Sequence, residues 1–274
     1  MSIEWGVASD TGGRRSINED AALARPPVFV VADGMGGHAR GEMASAAVVD
    51  AFRPLAGAPG PIAPADVEAA VAAAAGRIRA TMAREGADAT GDASAGTTVA
   101  GAILTEQGGE PYWLVLNVGD SRVYRLAEGR LQQISVDHSL VQEMVDAGTL
   151  DAADARHHPR RNVITRAVGT GGDSSVDFWM LRVLPDERLL LCTDGLTGEL
   201  EEDRIAEILT AVPGAEDAAR ALVAEAVRDG ANDNVTVVVV DAGDPDRAGG
   251  RTVPSPAAAA DEDEDGSTLP QAGA

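Results

Sequence analysis

The chain has 274 residues and a formal net charge of −22, with 45% hydrophobic residues, so it can bury a sizeable core as one domain or two. An acidic balance of that size repels nucleic acid and anionic membranes. All 22 basic residues are Arg, which excludes a Schiff-base or phosphate-loop Lys, and the single Cys192 excludes an internal disulfide framework.

In chain order, 3–8 reads as a first strand, followed by the charged segment Arg15-Ser16-Ile17-Asn18-Glu19-Asp20. The apolar run 28–32 predicts a buried strand that stops at Asp33-Gly34. Across 41–55, Met43, Ala46, Ala47, Val48, Ala51, Phe52 and Leu55 recur at helical spacing. The Ala-rich stretch 64–84 opens on Pro64 and predicts a long helix. Strands are predicted over 97–104, 112–118, 122–126 and 131–135, with Gly turns between them. Ser139 is a plausible N-cap for a short helix over 139–147. Further strands are predicted over 162–167, 176–183 and 189–193. Helices over 203–209 and 216–228 precede a last strand, 235–240.

These elements do not alternate as strand–helix–strand units, which predicts antiparallel sheets with helices packed outside. Composition changes near residue 243. From there Gly, Pro and Ala surround the acidic run Asp261 to Asp265, with no aromatic residue. Such a segment cannot offset its ordering entropy by burial. The expected division is therefore a domain over 1–242 and a disordered acidic tail over 243–274. No basic-then-apolar leader opens the sequence, and no apolar run approaches about 18 residues. The expectation is a cytoplasmic protein with no membrane span.

Acidic residues sit where apolar runs stop. Asp33 follows 28–32, Asp120 follows 113–118, Asp194 follows 189–193, and Asp233 precedes 235–240. In an antiparallel sheet the end of one strand lies beside the start of its neighbour, so these four can share one rim. Carboxylates crowded in a low dielectric repel strongly, and hard divalent cations with oxygen ligands relieve that repulsion. The pattern predicts a Mg²⁺ or Mn²⁺ site of hydrolytic type. A surface cluster or a plain turn would account for any one of these acids alone.

The motifs together resemble the metal-dependent protein serine/threonine phosphatases of the PPM (type 2C) family, in its bacterial branch. They are Arg15-x-x-Asn18-Glu19-Asp20, Asp33-Gly34-Met35-Gly36-Gly37-His38, Gly96-Thr97-Thr98, Asn117-Val118-Gly119-Asp120-Ser121-Arg122, Asp137-His138-Ser139, Ile164-Thr165-Arg166-Ala167-Val168-Gly169, Thr193-Asp194-Gly195-Leu196 and Asp233-Asn234. Each is weak alone; the set in this order is specific. The resemblance implies an α+β fold, a four-layer α-β-β-α sandwich of two antiparallel sheets flanked by helices. It implies two Mn²⁺ or Mg²⁺ ions and hydrolysis of phosphoserine and phosphothreonine on proteins by a metal-bridging hydroxide. Asp33 would bridge both ions, the Gly34 carbonyl would bind one, and Asp194 and Asp233 would hold the other. Asp120, with Asp194, would form a third, weaker metal site. Glu19 would act through a metal-bound water and Asp20 would orient ligands. Arg15 would bind the substrate phosphate and take no part in holding the cations.

Eukaryotic relatives carry a His directly after the Asp-Gly pair to protonate the leaving group. Here Met35 stands there, and His38 is the nearby candidate. The segment His157-His158-Pro159-Arg160-Arg161 falls in what resembles the family's flap, and reads as a cation-rich loop near anionic substrate rather than a metal site. His138 and Arg166 read as structural. Asp261-x-Asp263-x-Asp265-Gly266 opens like a calcium loop but has Ala272 where a bidentate Glu is needed.

The implied partners are phosphorylated proteins and an opposing Ser/Thr kinase, with the phosphatase a monomer. Two rivals remain on the same fold. One is a regulator dedicated to a single phosphoprotein, such as an anti-sigma antagonist. The other is a non-catalytic phosphoprotein-binding scaffold, against which the intact Asp33, Asp194 and Asp233 argue.

Overall fold

A computed structural model of the chain describes residues 1–36, 39–85 and 95–243. Its strands are β1 (Ser2–Asp10), β2 (Asp20–Arg25), β3 (Val28–Met35), β4 (Gly96–Thr97), β5 (Val99–Gln107), β6 (Glu110–Val118), β7 (Arg122–Ala127), β8 (Arg130–Gln133), β9 (Asp177–Arg182), β10 (Glu187–Cys192) and β11 (Val235–Gly243). Its helices are α1 (Ala39–Phe52), α2 (Pro64–Arg84), α3 (Leu140–Asp146), α4 (Ala152–Ala155), α5 (Asp194–Thr197), α6 (Glu202–Ala211) and α7 (Ala215–Asp229).

One sheet runs β1-β11-β10-β7-β8. The other runs β2-β3-β5-β6-β9, with β4 paired to β3. Every pairing is antiparallel. The sheets face each other across a dry layer that includes Phe29, Trp113, Leu189, Leu191 and Val238. Outside the second sheet, α1 and α2 close another layer with Val30, Val48, Phe52 and Ile78. Outside the first, α6 and α7 close a third with Leu190, Ile205, Leu222 and Val237. The result is the four-layer sandwich expected of the sequence.

Local chemistry explains the elements. Helix α2 begins with Pro at its first position, and the Asp66 carboxylate accepts from the Ala63 N–H at 2.8 Å. Its Val67, Ala70, Val71, Ala74, Ala75, Ile78 and Met82 form one buried stripe. Helix α7 ends on Gly230, whose φ of 101° supplies the left-handed cap. Ser139 caps α3, accepting from Gln142 N–H at 3.2 Å.

One strand forms that the sequence did not predict, and one predicted strand is absent. Strand β2, Asp-Ala-Ala-Leu-Ala-Arg, is Ala-rich and lacks the β-branched signal; it forms because its backbone pairs with β3, Asp20 opposite Asp33. The strand expected over 162–167 is absent. Ile164 makes one isolated bridge to Ser139, and the segment otherwise turns back on the residues around His138. At the C-terminus β11 continues to Gly243, paired with Ser2, one residue beyond the expected boundary. The rest of the expected tail lies outside the described residues, as does its calcium-loop-like stretch. Among the described residues no helix is long and apolar enough to cross a membrane.

Candidate metal centre

Sheet register brings the acidic strand ends to one end of the sandwich. Cys192, the last residue of β10, lies opposite Val237 of β11 and Arg122 of β7. Asp194 therefore leaves β10 beside Asp233, which enters β11, and beside Asp120 in the β6–β7 turn. In the facing sheet, Asp20 and Asp33 are register partners. The four carboxylates singled out by spacing and the Asp20 of the first motif thus meet at one rim.

Three polar residues build that rim, and sequence reasoning gave none of them a role. Asn234 donates from Nδ2 to the carbonyls of Thr11 and Ile17, both at 3.0 Å, and accepts from Glu19 N–H at 2.8 Å. It pins the β1–β2 loop, with Arg15 and Glu19, to the start of β11. Thr193 accepts from Thr236 N–H at 3.0 Å and donates to Asp20 Oδ2 at 2.8 Å, linking the two sheets. Thr98 accepts from Asp33 N–H at 3.0 Å while its own N–H donates to the Asp33 carbonyl at 2.9 Å. The available signal was a Thr or Asn directly beside a strand-end acid. Gly34 allows a close approach: a Cβ there would lie 2.1 Å from the Gly41 carbonyl oxygen of α1.

The electrostatics are unbalanced. Burial raises the Asp20 carboxyl to about 7, with Asp194 and Asp233 adding to the effect. Asp33 and Asp120 are held well above the ordinary range by burial and then by Asp194. Asp194 is raised by burial and then by Asp233. Asp20 Oδ1, Asp120 Oδ1 and Asp194 Oδ1 are buried with no hydrogen-bond partner among the described residues. Buried polar atoms are nearly always satisfied, so such orphans mark a place for a ligand.

Arg15 is half-exposed, and its Nη2 donates to Asp233 Oδ2 at 2.8 Å, with Nη1 3.7 Å from Glu19 Oε2. The guanidinium is thus tied to one of the acids expected to hold a cation. Burial pushes the Cys192 thiol up to about 12 and removes it as a nucleophile. His38 lies outside the described residues. His138 packs between Gly119 N–H, 3.1 Å from Nδ1, and Asp177 Oδ2, 3.1 Å from Nε2, and Arg166 Nη1 donates to Asp177 Oδ1 at 2.9 Å.

The donor set fits hard divalent cations: oxygen only, anionic, and carrying unpaired buried atoms. Among the described residues no group of three or more His, Cys, Asp or Glu side chains is positioned to hold a metal ion. An open carboxylate rim suits ions that keep several waters, as Mg²⁺ does.

A family profile described as protein phosphatase 2C matches residues 14–229. The serine/threonine protein phosphatase PstP of Mycobacterium tuberculosis is 38% identical over 275 residues, covering 100% of this chain and 51% of the relative. This chain thus spans about half the length of that relative. The serine/threonine phosphatase stp of Listeria monocytogenes is 31% identical, over 85% of this chain and 93% of its own. The crystal structure of the catalytic domain of a serine/threonine protein phosphatase PstP, in complex with 2 manganese ions, superposes with a TM-score of 0.78 at 34% identity. That match covers 88% of this chain and 99% of the other.

Proposed function

This chain belongs to the protein phosphatase 2C family, and from that premise we propose that it is a metal-dependent protein serine/threonine phosphatase. The observation that carries the reading is the rim of buried, unsatisfied carboxylates beside Arg15. Asp33, the Gly34 carbonyl, Asp194 and Asp233 would hold two Mn²⁺ or Mg²⁺ ions, with Asp120 beside Asp194 for a third. Bound there, the ions supply Lewis acidity toward the phosphate and lower the pKa of water.

The chain's own residues do the rest. Arg15 offers its guanidinium fork to non-bridging phosphate oxygens, exchanging the Asp233 contact for the substrate. Glu19, held through its backbone by Asn234, and Asp20, held by Thr193, keep the carboxylate array in place from the β2 side. His38 is the proposed proton donor to the departing Ser or Thr oxygen. The substrates are phosphoproteins, opposed to a Ser/Thr kinase in the cytoplasm, and the enzyme acts as a monomer over residues 1–243, with the remaining tail outside the catalytic unit.

Phosphate release from a phosphothreonine peptide tests this reading. Turnover should require Mn²⁺ or Mg²⁺, stop with a chelator, and be lost in Asp33→Asn. Chelator-resistant turnover, or binding of the peptide without any turnover in the presence of Mn²⁺, would contradict it.

A further inference from the structure

The segment 156–161 gathers Arg156, His157, His158, Arg160 and Arg161 in a chain of net charge −22. Both ends of the surrounding loop are fixed beside the acidic rim. On one side Arg156 donates to the carbonyls of Leu200 at 3.1 Å and Gly198 at 3.4 Å, and its Nε lies 3.1 Å from Glu201. Gly198 N–H in turn donates to the Asp194 carbonyl at 2.6 Å. On the other side Leu140 N–H donates to Val163 O and Thr165 N–H to His138 O, both at 2.8 Å. His138 N–H donates to Gly119 O at 2.8 Å, one residue before Asp120. The loop therefore spans from the Asp194 helix to the Asp120 turn.

Its cations are of two kinds. Arg156 and Arg166 are committed to anchoring, on Glu201 and Asp177. Arg160 and Arg161 are exposed, and among the described residues no carboxylate lies within ion-pair reach of either. Arg182, Arg204 and Arg220 each meet a carboxylate, whereas the exposed Arg77, Arg79 and Arg130 meet none among the described residues; what sets Arg160 and Arg161 apart is their place on a loop anchored beside the acidic rim. Successive turns hold the backbone beneath the free pair: Arg161 N–H donates to His158 O at 3.0 Å and Val163 N–H to Arg160 O at 3.2 Å. Arg160 N–H donates to His158 Nδ1 at 3.2 Å, which leaves the proton of a neutral His158 ring on Nε2 as a further donor.

We infer that Arg160 and Arg161, with His158, form a docking surface for acidic residues flanking the phosphorylated side chain. The preferred substrates are then phosphoproteins with an acidic patch beside the phosphosite. This rests on the phosphatase reading and sharpens it. The field of the whole acidic chain argues the opposite way, because it draws basic peptides and repels acidic ones. The sign of the preference therefore decides between local and global electrostatics.

The experiment uses the full chain with Mn²⁺ and three phosphothreonine peptides whose flanks are acidic, neutral or basic. Para-nitrophenyl phosphate serves as a substrate too small to reach the loop. Wild type, Arg160→Ser/Arg161→Ser and Arg160→Glu/Arg161→Glu are compared. The acidic peptide should exceed the basic one about tenfold in kcat/KM, the scale of two exposed ion pairs, mostly through KM and less at high salt. The Ser pair should abolish that preference and the Glu pair should reverse it, with para-nitrophenyl phosphate turnover unchanged. A wild-type preference for basic flanks, an acidic preference surviving both variants, or variants that lose the small substrate would each overturn the inference. Wild type inert toward all these substrates would instead defeat the phosphatase reading.

Discussion

The two ends of β10 and β11 both bury carboxylates, and they treat them oppositely. At the far end Glu187 is fully buried, yet its oxygens take hydrogen bonds from Trp113 Nε1 at 2.8 Å, Leu184 N–H at 3.0 Å and the Arg125 guanidinium. Beside it Arg188 forks onto Asp241 at 2.6 and 2.8 Å and also donates to the carbonyls of Leu209 and Val212. At the near end Asp20, Asp120 and Asp194 each keep a buried oxygen without a partner among the described residues. A closed network fixes the fold, while an open one is poised for a ligand. Burial of an acid alone does not distinguish the two cases; the accounting of its hydrogen bonds does.

If that contrast is right, substitutions at the two ends should separate activity from stability. The largest expected effect is on turnover. Asp194→Asn should lower Mn²⁺-dependent hydrolysis of a phosphothreonine peptide by more than the roughly 10–100-fold typical of residues that only support a metal ligand. It should not lower the melting temperature, since a repelling charge is removed. At the other end Glu187→Ala strands Arg125 and should cost about 3–5 kcal/mol in denaturant unfolding, while folded protein keeps its kcat. An Asp194→Asn protein that unfolds easily, or a Glu187→Ala protein of normal stability, would blur the distinction.

The pH response sharpens it. Asp20, Asp33, Asp120 and Asp194 have raised values in the folded protein. The folded state therefore holds protons that the unfolded chain has already released, and stability falls as pH rises through that window. For Asp20 the window runs from the ordinary 3.8 to about 7. Chelated protein should lose stability in thermal melts between those limits, and saturating Mn²⁺ should remove most of the slope by replacing the protons. A chelated protein that becomes steadily more stable from pH 4 to 7 would count against an uncompensated acidic rim.

Smaller still is the expected effect at Arg15, the proposed phosphate ligand, which contacts Asp233 and lies near Glu19. Arg15→Ala should lower kcat/KM about 10–100-fold, the scale of a lost charge-assisted contact, with Arg15→Lys recovering part of it. Because Arg15 occupies Asp233 in this structure, the Ala variant should also bind Mn²⁺ somewhat more tightly without substrate. Weaker Mn²⁺ binding with normal steady-state kinetics would make Arg15 an organiser of the acids and not a phosphate ligand.

Much of this was legible in the sequence because it is local. Helix α2 was readable to its ends from Pro64 and the Ala-rich stripe, and the strand-end acids pointed to a shared rim because antiparallel register is geometrically restrictive. What was hidden depends on distant partners. Strand β2 has no β-propensity of its own and exists through its pairing with β3. The apolar content of 162–167 suggested a strand, but that segment's backbone is used up on the residues around His138. Asn234 stood only as the second residue of the last motif, yet its side chain joins residues more than two hundred positions away. The Arg15–Asp233 pair is likewise a product of folding that no spacing rule reveals.

Calorimetric titration of Mn²⁺ into the chelator-treated chain tests the central claim most directly, with Asp194→Asn and Glu187→Gln titrated alongside. The account predicts two ions bound by the wild type, binding severely weakened in Asp194→Asn, and near-normal binding in Glu187→Gln. Unchanged stoichiometry and affinity in Asp194→Asn would contradict it, because the orphaned carboxylates at the near end would then hold no cation.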